Sequence, residues 1–158
     1  MDDQIKKAAL ALIQAESTLT LATVDRDGPW SAPVFYVFLD GRFYFFSSPN
    51  SRHIRSALTT RSAAASVYHE GNSWQSLKGL QMTGKIQLID TAAVSMKAVG
   101  VYLKRFGFVS DFFKGGCKPT AKDFFSRFNV RLYAFTPAKA YFVDNRQGFG
   151  SRQHITLR

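Results

Sequence analysis

Between Thr18 and Phe46 the sequence holds three apolar runs separated by two Asp-Gly turns, and this spacing narrows the possible folds more than any other feature. Residues 18–24 alternate apolar and polar, the period of a half-buried strand. Asp25-Arg26-Asp27-Gly28 then reads as a turn, residues 30–39 as a second strand, Asp40-Gly41 as a tight turn and residues 42–46 as a third strand. Strands joined by such short connections pair antiparallel with their neighbours, which gives a β-meander. The second and third are apolar at nearly every position, so both faces demand cover, as in a barrel wall that also carries a helix or a partner subunit.

The rest of the chain supplies helices and further strands. Ile5, Ala8, Ala9, Leu12 and Ile13 fall on one helical face, with Asp2 and Asp3 suited to the positive end of that helix. Ser48-Pro49 fits an N-cap and first helical residue, and Ile54, Ala57 and Leu58 give the short helix after it an apolar stripe ending near Thr59 or Thr60. Residues 63–68 and 80–90 alternate as strands around a loop at 71–79, and 94–106 form a helix with a broad apolar face. Residues 107–122 are aromatic and irregular. Residues 129–136 and 138–143 read as two strands flanking Pro137, and the tail carries Gly148-Phe149-Gly150 and a last short strand. The pattern predicts a single α+β domain over residues 1–158, an antiparallel barrel of six to seven strands with three flanking helices. Two-sided burial of the strands and the wide face of the third helix predict a homodimer.

Composition closes off several classes of function. The 21 Lys and Arg against 11 Asp and Glu give a formal charge of +10 and favour anionic partners, but the basic residues are dispersed rather than gathered in an arm. The aromatics sit in apolar runs, not interleaved with Lys and Arg, which ranks nucleic acid last among the partners. The longest uninterrupted apolar run covers residues 33–39, far short of a membrane span, and the start is acidic, so a cytoplasmic protein is expected. The one cysteine, Cys117, has no intramolecular partner and no ligand-spaced neighbour. His53, His69 and His154 are widely separated, and no metal site is expected. There is no P-loop, nucleophile elbow or dinucleotide fingerprint. Trp74, Phe112, Phe113, Phe124 and Phe125 read as core or dimer contacts before ligand stackers.

One constellation carries chemistry. Ser47-Ser48-Pro49-Asn50-Ser51-Arg52-His53 lies between a strand end and a helix start. Unpaired N–H groups of a helix N-terminus, three serine hydroxyls and a guanidinium fork are the parts of a phosphate cradle. Read from chemistry alone, the same residues equally describe a helix cap with solvated arginines.

The run Phe45-Phe46-Ser47-Ser48 followed by Ser51-Arg52-His53 resembles the strand-to-helix signature of the pyridoxamine phosphate oxidase-like FMN-binding split barrels, in which aromatic-aromatic-Thr leads to Ser-Arg-Lys. Ala22-Thr23-Val24 before Asp27-Gly28, and Ala32-Pro33-Val34-Phe35-Tyr36 before Asp40-Gly41, are similar to the opening of such barrels. Residues 79–86, with Asp144-Asn145 and Gly148-Phe149-Gly150, resemble the YhbP-like branch. The resemblance implies a split barrel that binds FMN at a dimer interface. Ser47 and Arg52 would contact the phosphate with Ser48 and His53 beside them, where Ser51 adds its hydroxyl to the cradle, Pro33 and Val34 would lie along the isoalloxazine through their backbone, and Gln81 would meet the ring edge.

Two departures accompany the likeness. The oxidases' Arg and Lys on the second strand have no counterpart in residues 32–39, and His53 stands where they have Lys. Arg152-Gln153-His154 only faintly echoes their Arg-x-His substrate clamp, so vitamin B6 oxidation is not implied. The expected function is that of an FMN-dependent oxidoreductase acting on a small-molecule substrate. The alternative is a flavin or haem binder without turnover, with His53, His69 or His154 as axial ligand.

Overall fold

The helical spacing near the start places α1 (Asp2–Ala15) against the sheet through Ile5, Ala9, Leu12 and Ile13, all buried. The meander follows as β1 (Thr18–Asp25), β2 (Gly28–Phe35), β3 (Val37–Leu39) and β4 (Arg42–Ser47). The structure, a computed structural model, describes residues 2–107 and 126–157; the sequence readings of Phe112, Phe113, Cys117, Phe124, Phe125 and most of the irregular 107–122 segment lie outside them.

The strand predicted over residues 30–39 is two strands. At Tyr36 the backbone leaves the β1 ladder: its N–H donates to the Ser17 carbonyl at 3.1 Å, and its hydroxyl donates to the Ile13 carbonyl at 2.7 Å. This fully buried tyrosine ties the end of α1 to the corner, after which β3 pairs with β4 instead of β1. Next come α2 (Arg52–Thr60), β5 (Ala63–His69), β6 (Lys78–Leu88), α3 (Ala92–Arg105), β7 (Arg131–Asp144) and β8 (Arg152–Ile155).

Conversely, the two strands predicted around Pro137 are one continuous β7 of 14 residues. Pro137 has no N–H for the ladder, and it pairs with Gly84 where the β6 register shifts between Thr83 and Gly84. The bulge absorbs the missing donor and lets β7 bend. A Cβ on Gly84 would sit 2.2 Å from the Thr136 carbonyl oxygen, so the bulge requires glycine.

The sheet runs β2-β1-β5-β6-β7-β4-β3, antiparallel throughout, with β8 on β7. It curls into a split half-barrel, and the fold is α+β as the pattern requires. Leu19, Leu21, Phe43, Phe45, Tyr133 and Phe135 fill the inside together with α1 and Ile54 and Ala57 of α2. A second cluster covers the other face of β3, β4 and β7: Tyr44, Leu132 and Ala134 pack against Ala98 and Tyr102 of α3. The two-sided burial expected of these strands is therefore met within the chain by α3, which removes that feature as an argument for a dimer. No helix among the described residues is long and apolar enough to cross a membrane.

Gly84→Ala forces the bulge apart and is expected to destabilise by roughly 1–3 kcal/mol. Gly100→Ala, in the interior of α3 with open space around it, should stabilise by about 0.5–1 kcal/mol. Thermal unfolding of the two variants checks both, and a Gly84→Ala melt matching wild type would contradict the bulge argument.

Candidate functional site

Phe43, Phe45 and Ser47 alternate toward the inside of the barrel, and the last of them brings a hydroxyl to its mouth. The chain then turns, and α2 begins at Arg52 with Ser51 as N-cap, three residues later than the Ser48-Pro49 signal predicts. The reason is local. The Ser48 hydroxyl accepts from the Asn50 N–H at 3.3 Å, and its carbonyl accepts from the Ser51 N–H at 3.1 Å, so Ser48 closes a turn rather than capping a helix.

Ser47, Ser51 and His53 converge at this junction, and their bonding order is fixed by valence. The Ser51 hydroxyl is 2.7 Å from the Ser48 carbonyl, which can only accept, so Ser51 donates there. With that proton committed, Ser51 accepts from the Ser47 hydroxyl at 3.0 Å, and Ser47 in turn accepts from His53 Nε2 at 2.8 Å. The chain of donors runs His53 to Ser47 to Ser51 to Ser48, and it selects the Nε2–H tautomer of His53. Burial disfavours the charged imidazole and lowers its pKa, so His53 is neutral near pH 7. Ser47 is itself 8% exposed. The cluster thus offers hydroxyl and imidazole N–H donors at the edge of a low-dielectric interior.

Arg52 faces another way. Nε donates to Asp25 Oδ2 at 3.0 Å and Nη2 to Asp25 Oδ1 at 2.8 Å, a bidentate pair, and Nη2 also donates to the Gly28 carbonyl at 3.2 Å. The guanidinium lies 4.8 Å from the centre of the Trp30 ring, and Ser56 adds a 2.7 Å bond to Asp25. Arg52 therefore ties α2 to the β1–β2 turn, with only Nη1 uncommitted among the described residues. The sequence offers Arg52 as a phosphate ligand or a solvated arginine and gives no sign of Asp25, Trp30 and Ser56 as its partners. The Asp-Gly turn signal at 25–28 accounts for the backbone and carries no sign of a partner 27 residues on. This pairing borders a cleft of about 600 Å³ that Arg26, Arg55, Thr59 and Thr60 also line.

The remaining predicted residues lie elsewhere on the sheet. Pairing aligns Pro33, Thr20, Ser66, Gln81, Tyr141 and His154 in one transverse row across β2, β1, β5, β6, β7 and β8. Pro33 and Gln81 are exposed on the outer face, whereas Val34 is half-buried and packs on the inner core. The row borders a shallow groove of about 390 Å³ floored by small residues such as Ala22, Ala64 and Ser66. Ser47 belongs to the inner face, so one chain does not bring the side chains of Gln81 and the Ser47 cluster together. Arg152 Nη1 lies 3.5 Å from Gln81 Oε1, the His154 ring meets Tyr141 edge-on at 5.5 Å, and His69 pairs with Glu16 at 2.8 Å. No group of three or more metal-capable side chains exists among the described residues.

The curled antiparallel half-barrel places the chain in the split-barrel fold class. The sequence model of the pyridoxamine 5'-phosphate oxidase family matches residues 5–144, and the chain belongs to that family. Among solved structures it resembles a haem-binding protein from Mycobacterium smegmatis (TM-score 0.71, 15% identity), covering 97% of this chain and 58% of that one. It is also similar to the haem storage protein HutZ from Vibrio cholerae (TM-score 0.69, 18% identity, 92% of this chain and 96% of that one). A third likeness is to a FAD-binding protein from Mesorhizobium loti (TM-score 0.61, 15% identity, 85% and 90%). At these identities the likeness is one of fold. No curated protein sequence matches the chain.

The Arg52 guanidinium, with Ser56, holds the Asp25 carboxyl well below its usual range. A carboxylate whose folded pKa is depressed contributes stability above its unfolded value, about 4, and loses it as pH falls below that. Asp25→Asn should therefore flatten the loss of stability between about pH 4 and pH 2, leaving the part due to Asp144, which Arg146 lowers in the same way. Urea midpoints across that range test this; an unchanged acid limb in Asp25→Asn would refute it.

Proposed function

We propose that this chain binds a phosphate-bearing flavin, FMN, with the phosphate at the Ser47–Ser51–His53 cluster. The observation that carries the reading is the convergence of three donors at the β4–α2 junction in a member of the pyridoxamine 5'-phosphate oxidase family. The donor set fits the group: the Ser47 hydroxyl can rotate from Ser51, and the Ser51 hydroxyl from the Ser48 carbonyl, to a phosphate oxygen, and the neutral His53 presents an N–H that already points at the cluster. Arg52, held by Asp25, braces the start of the helix that carries His53. A bound flavin supplies electron and hydride transfer, for which the protein provides binding and orientation. An oxidoreductase acting on a small molecule is the function that follows.

The outer face supports a site shared between two copies. Pro33 and Gln81 share a row with small residues on an open sheet face, and a second copy laid there would bring its own cluster, with the flavin held at it, toward that row. The proposed homodimer rests on this face and no longer on α3.

A haem-binding reading is favoured by the likeness to the haem-binding protein of Mycobacterium smegmatis and to the haem storage protein HutZ. His53 Nε2 is committed to Ser47, whereas His69, whose Nδ1 meets Glu16 and leaves Nε2 open, and exposed His154 on β8 are the axial candidates. The visible spectrum after addition of FMN or haemin separates the readings.

Ser47→Ala removes both a hydroxyl donor and the acceptor of His53. It is expected to weaken FMN about tenfold in a fluorescence titration and leave riboflavin nearly unchanged. Equal loss for both flavins, or none for either, would move the phosphate away from this cluster.

A further inference from the structure

The Ser47 cluster lacks an uncommitted charge. His53 is neutral, and the Arg52 fork is engaged by Asp25, so the two residues that the sequence offers as counter-ions bring little net positive charge to an anion. The cation comes instead from the neighbouring strand. β4 pairs with β7 so that Ser47 lies directly opposite Arg131. In an antiparallel pair, directly opposed side chains share a face with their Cβ atoms about 5 Å apart, well within the reach of an arginine.

Arg131 continues the inner-facing series of Phe135 and Tyr133, and its charge acts on the buried Tyr133 hydroxyl, partly offsetting the upward pull of burial. It is exposed, and no hydrogen bond or ion pair engages it among the described residues. Beside it opens a groove of about 380 Å³, lined also by Asp90, Asn129 and, from the α3 side of the sheet, Ser95 and Leu132.

We propose that Arg131 is the charged phosphate ligand of this site, reaching across the β4–β7 ladder to an oxyanion whose other oxygens accept from Ser47, Ser51 and His53. The assignment rests on the flavin reading for the identity of the ligand and extends it to a residue far from the strand-to-helix segment in sequence. It also accounts for how the site manages without the second-strand Arg and Lys of the oxidases, since the missing charge enters from β7.

The test is equilibrium titration of purified full-length protein with FMN and with riboflavin, plus competition by inorganic phosphate, for wild type, Arg131→Ala, Arg131→Lys and Arg42→Ala. Arg42 is the matched control, an exposed arginine at the opposite end of β4. Arg131→Ala should weaken FMN about tenfold or more and raise the phosphate concentration needed to compete, with riboflavin unchanged and Arg131→Lys retaining most of the affinity. Arg42→Ala should bind as wild type does. Thermal unfolding confirms that the variants fold. If Arg131→Ala binds FMN as tightly as wild type, or loses riboflavin equally, the assignment of Arg131 is overturned while the flavin reading stands. If wild type binds phosphate in an Arg131-dependent way but no flavin, the anion site stands and the flavin reading falls. Binding of neither by wild type overturns both.

Discussion

Strand β7 is the constraint on which the rest depends. It is hydrogen-bonded to β6 from Tyr133 to Asp144, to β4 at its start and to β8 near its end, so it joins β4 and β3 to the rest of the curled sheet. The bulge opposite Pro137 adds bend and twist to this long strand just past its pairing with β4, which helps the sheet to close. The geometry of the site follows from that closure. Ser47 reaches the barrel mouth because Phe43 and Phe45 are locked against Phe135 and Tyr133, and its opposite number on the ladder is then necessarily Arg131.

A second tie sets the position of α2. The helix carries His53, and its own N-cap has no side-chain bond to hold it, yet Arg52 and Ser56 both clasp Asp25 at the end of β1. The ion pair is partly exposed, so its value lies less in raw stability than in fixing one helix against one turn. Ser51 is left free of capping duty, and its hydroxyl joins the donor chain. Arg52, the arginine next to the cluster in sequence, thus serves as a brace for it, and the donors that the junction itself supplies are hydroxyls and a neutral imidazole.

Much of this was legible in the chain. Alternation and Asp-Gly turns determined the meander, helical spacing determined α1, α2 and α3, and the segment from Phe45 to His53 marked the junction where three donors meet. Those are local properties, decided by side-chain period and turn chemistry within a few residues. What tertiary structure alone decided is partnership. The break at Tyr36 depends on a carbonyl 23 residues away, the unbroken β7 depends on a glycine in another strand, and the burial expected to need a second subunit is supplied by α3. Arg52 reads as a phosphate ligand until the fold brings Asp25 to it, and Arg131 reads as an ordinary surface charge until register places it across from Ser47. Pairing between distant strands is set by the closure of the whole sheet, and no local pattern encodes which charge will stand opposite which hydroxyl.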